Sequence, residues 1–206
     1  MLALNMFLRK DTCRIMDELL NEILASNEQF LRTTHLALID HAPRKHLAVV
    51  TCMDCRLLEM FEPALGLKRG DAVELRTAGA TISQPERERA ANDLIRSLAG
   101  AIYLLGVREV MVVGHTQCGL SRIEPATLSG SMQALGIDPD GLIEHEGLGN
   151  LDGLVRWIGA FSDIHLNVKE TVQVIRSSPY LPKLPVHGLV IDITTGKLEV
   201  VEAANH

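Results

Sequence analysis

The sequence has no excess of basic residues, no apolar run long enough to span a bilayer, only four cysteines, and no internal repeat or low-complexity tract. Lys and Arg number 20 against 26 Asp and Glu, a formal charge of −6. That balance argues against a nucleic-acid binder, which carries a basic face. With no candidate membrane span, the chain is expected to work away from membranes. The start, Met1 to Leu8, is apolar but has no charged region before it and meets Arg9 and Lys10 at once, so it does not read as a signal peptide. The expected location is the cytoplasm. Four unevenly spaced cysteines in 206 residues do not make a disulfide framework. Beside His, Asp and Arg they fit metal or thiol chemistry in a reducing compartment.

What is present is ordinary globular chemistry, 47% hydrophobic and 22% charged, in a chain long enough to bury a substantial core. The expectation is a single α/β domain over residues 1–206, made of an N-terminal helical arm (1–40) and a core (44–206). From Thr12 to Thr34, Ile15, Leu19, Leu20, Ile23, Leu24, Phe30 and Leu31 recur at helical spacing, predicting one or two amphipathic helices. Their apolar stripe needs a cover, either the chain's own sheet or a partner subunit.

Pro43 ends the arm. The apolar runs His46–Thr51, Ala72–Thr77, Glu109–Gly114 and Val186–Ile193 read as strands of a mostly parallel sheet. Leu57 to Leu65 reads as a short helix closed by Gly66. Ser83-Gln84-Pro85-Glu86 has the form of a capping box, opening a helix whose stripe is Ala91, Leu94, Ile95, Leu98, Ile102 and Leu105. Strand, helix and the Val110 strand form a right-handed unit that returns the chain beside the first strand. Residues 121–150 are glycine-rich and weakly periodic, a loop-rich connection with short helices. Leu154 to Phe161 and Val168 to Arg176 read as helices, and Thr194-Thr195-Gly196 as a hairpin turn into an antiparallel edge strand, Lys197 to Val201.

Two of these strands end in ligand-type residues: Cys52-Met53-Asp54-Cys55-Arg56 after the first, His115-Thr116-Gln117-Cys118 after the third. The carboxyl edge of an open α/β sheet is where ligands bind. Zinc takes thiolate sulfur and imidazole nitrogen, and a catalytic site uses three protein ligands with one position left for water. Cys52, His115 and Cys118 make such a set. Three other readings stand beside it. The cysteines can be small core hydrophobes, which is the reading for Cys13. Cys52, Cys55, His115 and Cys118 can close a structural Cys3His site. Cys52-x-x-Cys55 can be a thiol redox pair. A glycine between small residues, Ala78-Gly79-Ala80, lets backbone approach a ligand closely, and a tight turn needs it equally.

Cys52-x-Asp54-x-Arg56, a glycine-containing strand end and His115-x-x-Cys118-Gly119 together resemble the signature of the β-class carbonic anhydrases. The resemblance runs from about His46 to Leu120 and resumes at Leu181 to Val200, where Pro182-Lys183-x-Pro185-Val186-x-Gly188 is similar to that family's C-terminal part. It implies a parallel sheet flanked by helices, a homodimer or higher homo-oligomer, and zinc held by Cys52, His115 and Cys118. It also implies reversible hydration of CO2 to bicarbonate. The same branch holds hydrolases of carbonyl sulfide and carbon disulfide with the same ligands. Cys55 stands where serine or alanine is usual and so reads as a bystander. Thr77 replaces a common asparagine and Ala80 a common glycine or asparagine.

On this resemblance Asp54 and Arg56 are the catalytic pair: an ionised carboxylate only accepts, so Asp54 orients the attacking water while Arg56 holds it in a fork and keeps it off the metal. If Arg56 released it, Asp54 would become a fourth ligand. Ala78, Gly79 and Ala80 form the substrate wall, small and apolar as CO2 requires. His41, His46, His145 and His187 are proton-relay candidates by residue type alone.

Overall fold

The computed structural model describes residues 2–82 and 93–204, with the side chains of residues 2–17 left aside. The Ser83–Glu86 capping box, Ala91 and the side chains of Cys13 and Ile15 lie outside what is described. The chain forms two compact units, 1–39 and 40–206. The first is a single helix, α1 (Leu2–Thr33), where the sequence allowed one or two. Its Leu19, Leu20, Ile23, Leu24, Phe30 and Leu31 are all exposed.

The second unit is built on five strands: β1 (Leu47–Cys52), β2 (Ala72–Thr77), β3 (Glu109–His115), β4 (Val186–Ile191) and β5 (Leu198–Glu202). Their order is β2-β1-β3-β4-β5. The first four are mutually parallel and β5 pairs antiparallel to β4, as the hairpin signal predicted. Every residue of β1 is buried, because both faces of the sheet are covered and the strand has no solvent side. Ala48 and Val50 join Val110, Val112, Val186 and Val190 on one face, packed on Leu98, Val168, Val172 and Ile175. Leu47 and Val49 join Val113 and Ile191 on the other, with Leu57 and Phe61.

Helix α3 (described over Asp93–Leu105) and helix α7 (Ile164–Ser177) supply the first of those faces. The Asp163 carboxylate caps α7 by accepting the Leu166 N–H at 2.9 Å. The helix packs hard on the sheet: a Cβ added at Gly114 of β3 would sit 2.8 Å from Val168 Cγ2, and one at Gly188 of β4 2.7 Å from Val168 Cγ1. Leu98 is fully buried in this layer, so Leu98→Ala is expected to cost about 2–5 kcal/mol of unfolding free energy, read from urea titrations at fixed metal content.

Several expected elements differ. The predicted Leu57–Leu65 helix is instead a 3-10 turn at Cys55–Leu57 followed by one turn, α2 (Phe61–Ala64). Glu59 takes a left-handed φ of 64° and interrupts the helix between them. The connection 121–150 is more helical than expected, with α4 (Pro125–Ala134) and α5 (Pro139–Glu146), each opening on a proline at the first turn. Helix α6 (Leu151–Trp157) and α7 begin three or four residues ahead of their predicted starts.

Candidate metal centre

β1 and β3 are neighbours, and the chain leaves β1 toward β2 on one side but returns to add β3 and β4 on the other. The order therefore reverses between β1 and β3, and a crevice opens at their carboxyl ends. Cys52 is the last residue of β1 and His115 the last of β3. Cys118 follows after a turn that Gln117, at φ 54°, makes through left-handed backbone.

One ligand atom each from Cys52, His115 and Cys118 lie within 4.8 Å of one another, and all three residues are buried. The two sulfurs are 3.9 Å apart and unbonded. His115 Nδ1 sits 2.9 Å from the Thr116 carbonyl, which can only accept, so Nδ1 carries the proton. That leaves Nε2 as a bare lone pair, buried and without a hydrogen-bond partner among the described residues. An orphaned imidazole nitrogen beside two thiols is costly in a closed core and is what a soft or borderline metal ion needs. The residues fit such an ion.

The three side chains shift one another's protonation. The Cys118 S–H beside it brings the Cys52 pKa down to about 4 against the opposing effect of burial, and Cys118 is correspondingly pushed up. A metal held by both sulfurs would displace the proton they share. Burial works to lower the His115 pKa, but the neighbouring Cys52 sulfur, the Thr116 carbonyl and Asp54 outweigh it and leave it raised.

Asp54 and Arg56 stand at the rim. Arg56 Nε donates to Asp54 Oδ1 at 3.0 Å and Nη2 to Oδ2 at 2.7 Å, a forked pair, while the Arg56 backbone N–H donates to Oδ1 at 2.9 Å. Arg56 Nη2 also donates to the Gln117 carbonyl at 2.8 Å, which ties the two ligand loops together. This grip brings the Asp54 pKa down to about 2. Asp54 Oδ2 is 3.6 Å from His115 Nε2, near the cluster but bound to Arg56. Cys55 is exposed and outside the three-residue cluster, so the four-ligand set is not assembled.

Ala78–Ala80 forms a 3-10 turn directly after β2, with Gly79 and Ala80 buried. It follows Thr77, which pairs with Cys52 in the sheet, and this places the Gly79 N–H on the side of the Cys52 sulfur. A pocket of about 400 Å³ opens against His115 and Cys118, bounded also by Ser121, Arg122 and Phe161. None of the relay candidates contacts the cluster among the described residues. His46 meets the Gly106 carbonyl and His187 pairs with Glu109, both at the far end of the sheet, while His41 and His145 pair with their neighbours Asp40 and Glu146. Sequence reasoning missed Thr81, Phe161, Asn167 and Thr171, which pack around the 78–80 turn. The available signal was Asn167 and Thr171, two polar residues four apart on the buried stripe of α7.

The family model described as carbonic anhydrase matches residues 47–137. The β-carbonic anhydrase isoform I of Trichomonas vaginalis superposes with a TM-score of 0.80 at 34% identity, covering 90% of this chain and 98% of that one. The chain belongs to the β-carbonic anhydrase family. Beta-carbonic anhydrase 1 of Mycobacterium tuberculosis is 32% identical over 161 residues, 77% of this chain and 83% of that protein. A carbon disulfide hydrolase of Acidithiobacillus thiooxidans is 30% identical over 161 residues, 75% of this chain and 76% of that protein. Family membership accounts for the parallel sheet with its antiparallel last strand. It also gives the Cys52, His115 and Cys118 cluster a chemical context. No described helix is long and apolar enough to cross a membrane.

Proposed function

We propose that the protein is a cytoplasmic zinc enzyme that reversibly hydrates CO2 to bicarbonate, with Cys52, His115 and Cys118 as the metal ligands. The observation that carries this reading is the bare His115 Nε2 set among two sulfurs, while Arg56 holds the one nearby carboxylate in a fork. Bound there, zinc would supply Lewis-acid activation of water for attack on the electrophilic carbon of CO2. Everything else falls to the chain. Asp54, kept ionised by Arg56, accepts a hydrogen bond from the attacking water and aims its lone pair. Arg56 prevents Asp54 from taking the open coordination position. Ala78, Gly79 and Ala80 offer CO2 a small apolar wall, where water gains little.

A second reading has a specific support: the similarity to a carbon disulfide hydrolase, 30% identical over three quarters of both chains. Carbonyl sulfide and carbon disulfide are linear electrophiles like CO2, and the same residues would serve. The third, a non-catalytic closed Cys3His site, is opposed by the exposure of Cys55. A CO2 hydration assay run beside a sulfide-release assay on zinc-loaded protein separates them. Faster CO2 turnover supports the proposal, faster sulfide release selects the second reading, and inactivity in both selects the third.

The arm is proposed to cover itself against a second copy of the chain in a homodimer or higher homo-oligomer. Leu19, Leu20, Ile23 and Leu24 are each more than half exposed, an apolar stripe that a lone chain leaves in water. Deleting residues 1–40 is expected to give an aggregating or destabilised product by size-exclusion chromatography and thermal melting. A soluble, fully active monomer would contradict it.

A further inference from the structure

Asn167 is 4% exposed on α7, whose other buried residues, Val168, Thr171, Val172 and Ile175, are apolar or hydroxyl-bearing. A buried carboxamide is costly unless its polar atoms find partners, and here the nitrogen and the oxygen each find one in the same short stretch of chain. Asn167 Nδ2 donates to the Gly79 carbonyl at 2.9 Å, and Asn167 Oδ1 accepts from Thr81 Oγ1 at 3.0 Å. The orientation of the amide follows from chemistry, because the Gly79 carbonyl can only accept and must face the NH2 group. One helical turn further on, Thr171 Oγ1 donates to the Ala80 carbonyl at 3.3 Å. The two polar residues of the buried stripe of α7 thus both grip the turn after β2.

That turn needs a grip. Gly79 and Ala80 both have left-handed backbone, at φ 67° and 55°, a conformation disfavoured for alanine. It is also tightly enclosed: a Cβ at Gly79 would stand 2.9 Å from Phe161 Cε1 and 2.8 Å from Thr81 Oγ1. On its other side the turn meets the metal centre: it directly follows Thr77, which pairs with Cys52 in the sheet and whose carbonyl accepts the Met53 N–H at 2.9 Å, and this places the Gly79 N–H on the side of the Cys52 sulfur. Groups that hydrogen-bond a ligand atom fix its direction and tune its donor strength.

We propose that Asn167 is a positioning residue of the metal centre, holding the Ala78–Ala80 turn so that Gly79 meets the Cys52 ligand in one fixed geometry. The inference rests on the proposed reading of Cys52 as a ligand and adds a residue from a helix that contributes none of the ligands. Asn167 touches neither metal nor substrate and acts only through Gly79.

The test is the visible spectrum of the cobalt-substituted protein together with zinc affinity by chelator competition. Asn167→Asp keeps the shape but removes the donor to Gly79, and Thr171→Val removes the second grip without changing volume. Val172→Ala, on the same helix and fully buried, destabilises the core without touching the turn. Asn167→Asp is expected to shift the sulfur-to-cobalt absorption band and weaken zinc by about 10- to 100-fold. Thr171→Val should shift the band in the same direction by less, and Val172→Ala should leave band and affinity as in the wild type. A wild-type band and zinc affinity in Asn167→Asp, or an equal shift in Val172→Ala, would overturn the inference. So would the absence of any sulfur-to-cobalt band in the wild type, since Cys52 would then not be a ligand. These readouts need no turnover: a protein that shows the expected band shifts yet hydrates neither CO2 nor its sulfur analogues supports the inference and counts against the proposed function alone.

Discussion

Cys52→Ser, His115→Ala and Cys118→Ser are each expected to purify without stoichiometric zinc and to hydrate CO2 no faster than the uncatalysed reaction, whereas Cys55→Ser keeps both metal and activity. The reason is geometric. Only three residues among those described bring ligand atoms to one point, so losing any of them leaves two donors, too few to hold a catalytic ion. Cys55 is exposed and reads as a bystander in the family's motif. Zinc per chain by elemental analysis and initial hydration rates check all four variants. Zinc loss from Cys55→Ser equal to that of the other three would restore the closed four-ligand site.

Asp54→Asn is expected to retain zinc and lose about 100-fold or more in kcat/KM, the scale of a misplaced proton-handling group. The carboxylate accepts on both oxygens, while an amide would present a donor to the water and a poorer partner to Arg56. Arg56→Ala should lose activity by a different route, because a released Asp54 carboxylate starts only 3.6 Å from His115 Nε2 and is free to take the open position. Since the two residues act as a unit, the double variant should be little worse than the worse single. The pH dependence follows. Arg56 holds the Asp54 pKa at about 2, below its ordinary value, so the pair contributes fully above the unfolded carboxylate range and is lost only as pH falls toward about 2. Asp54 therefore adds no step to the rate profile between about pH 5 and pH 9. Two thiolates leave the centre less positive than three imidazoles would, so kcat/KM should still climb on the alkaline side. A rate already level by about pH 6 would contradict that charge argument.

The cluster of Cys52, His115 and Cys118 was legible in the sequence because its parts are local. β-branched runs announce β1 and β3, and each ends in a compact ligand motif, so only the adjacency of the strands had to be inferred. The strands do pair, Leu47 with Glu109 through Thr51 with Val113. The state of Asp54 was not legible, because a carboxylate in a five-residue loop can face Arg56 or the metal with the same sequence, and the forked hydrogen bonds decide it. Nor was α4, in which no residue is buried, so its helix leaves no apolar periodicity. The short α2 was misjudged because Glu59 adopts left-handed backbone, which nothing in its residue type announces. Asn167 was hidden for a third reason: its partners, Gly79 and Thr81, lie more than eighty residues earlier, and a lone asparagine on a helix gives no sign of which backbone it will meet.

The most direct test of the central claim is a zinc titration of metal-free protein followed by CO2 hydration rate per chain. The proposal predicts a rate that rises linearly and stops at one zinc per chain, with Cys118→Ser remaining flat throughout. Protein that takes up one zinc per chain and still fails to hydrate CO2 would contradict it.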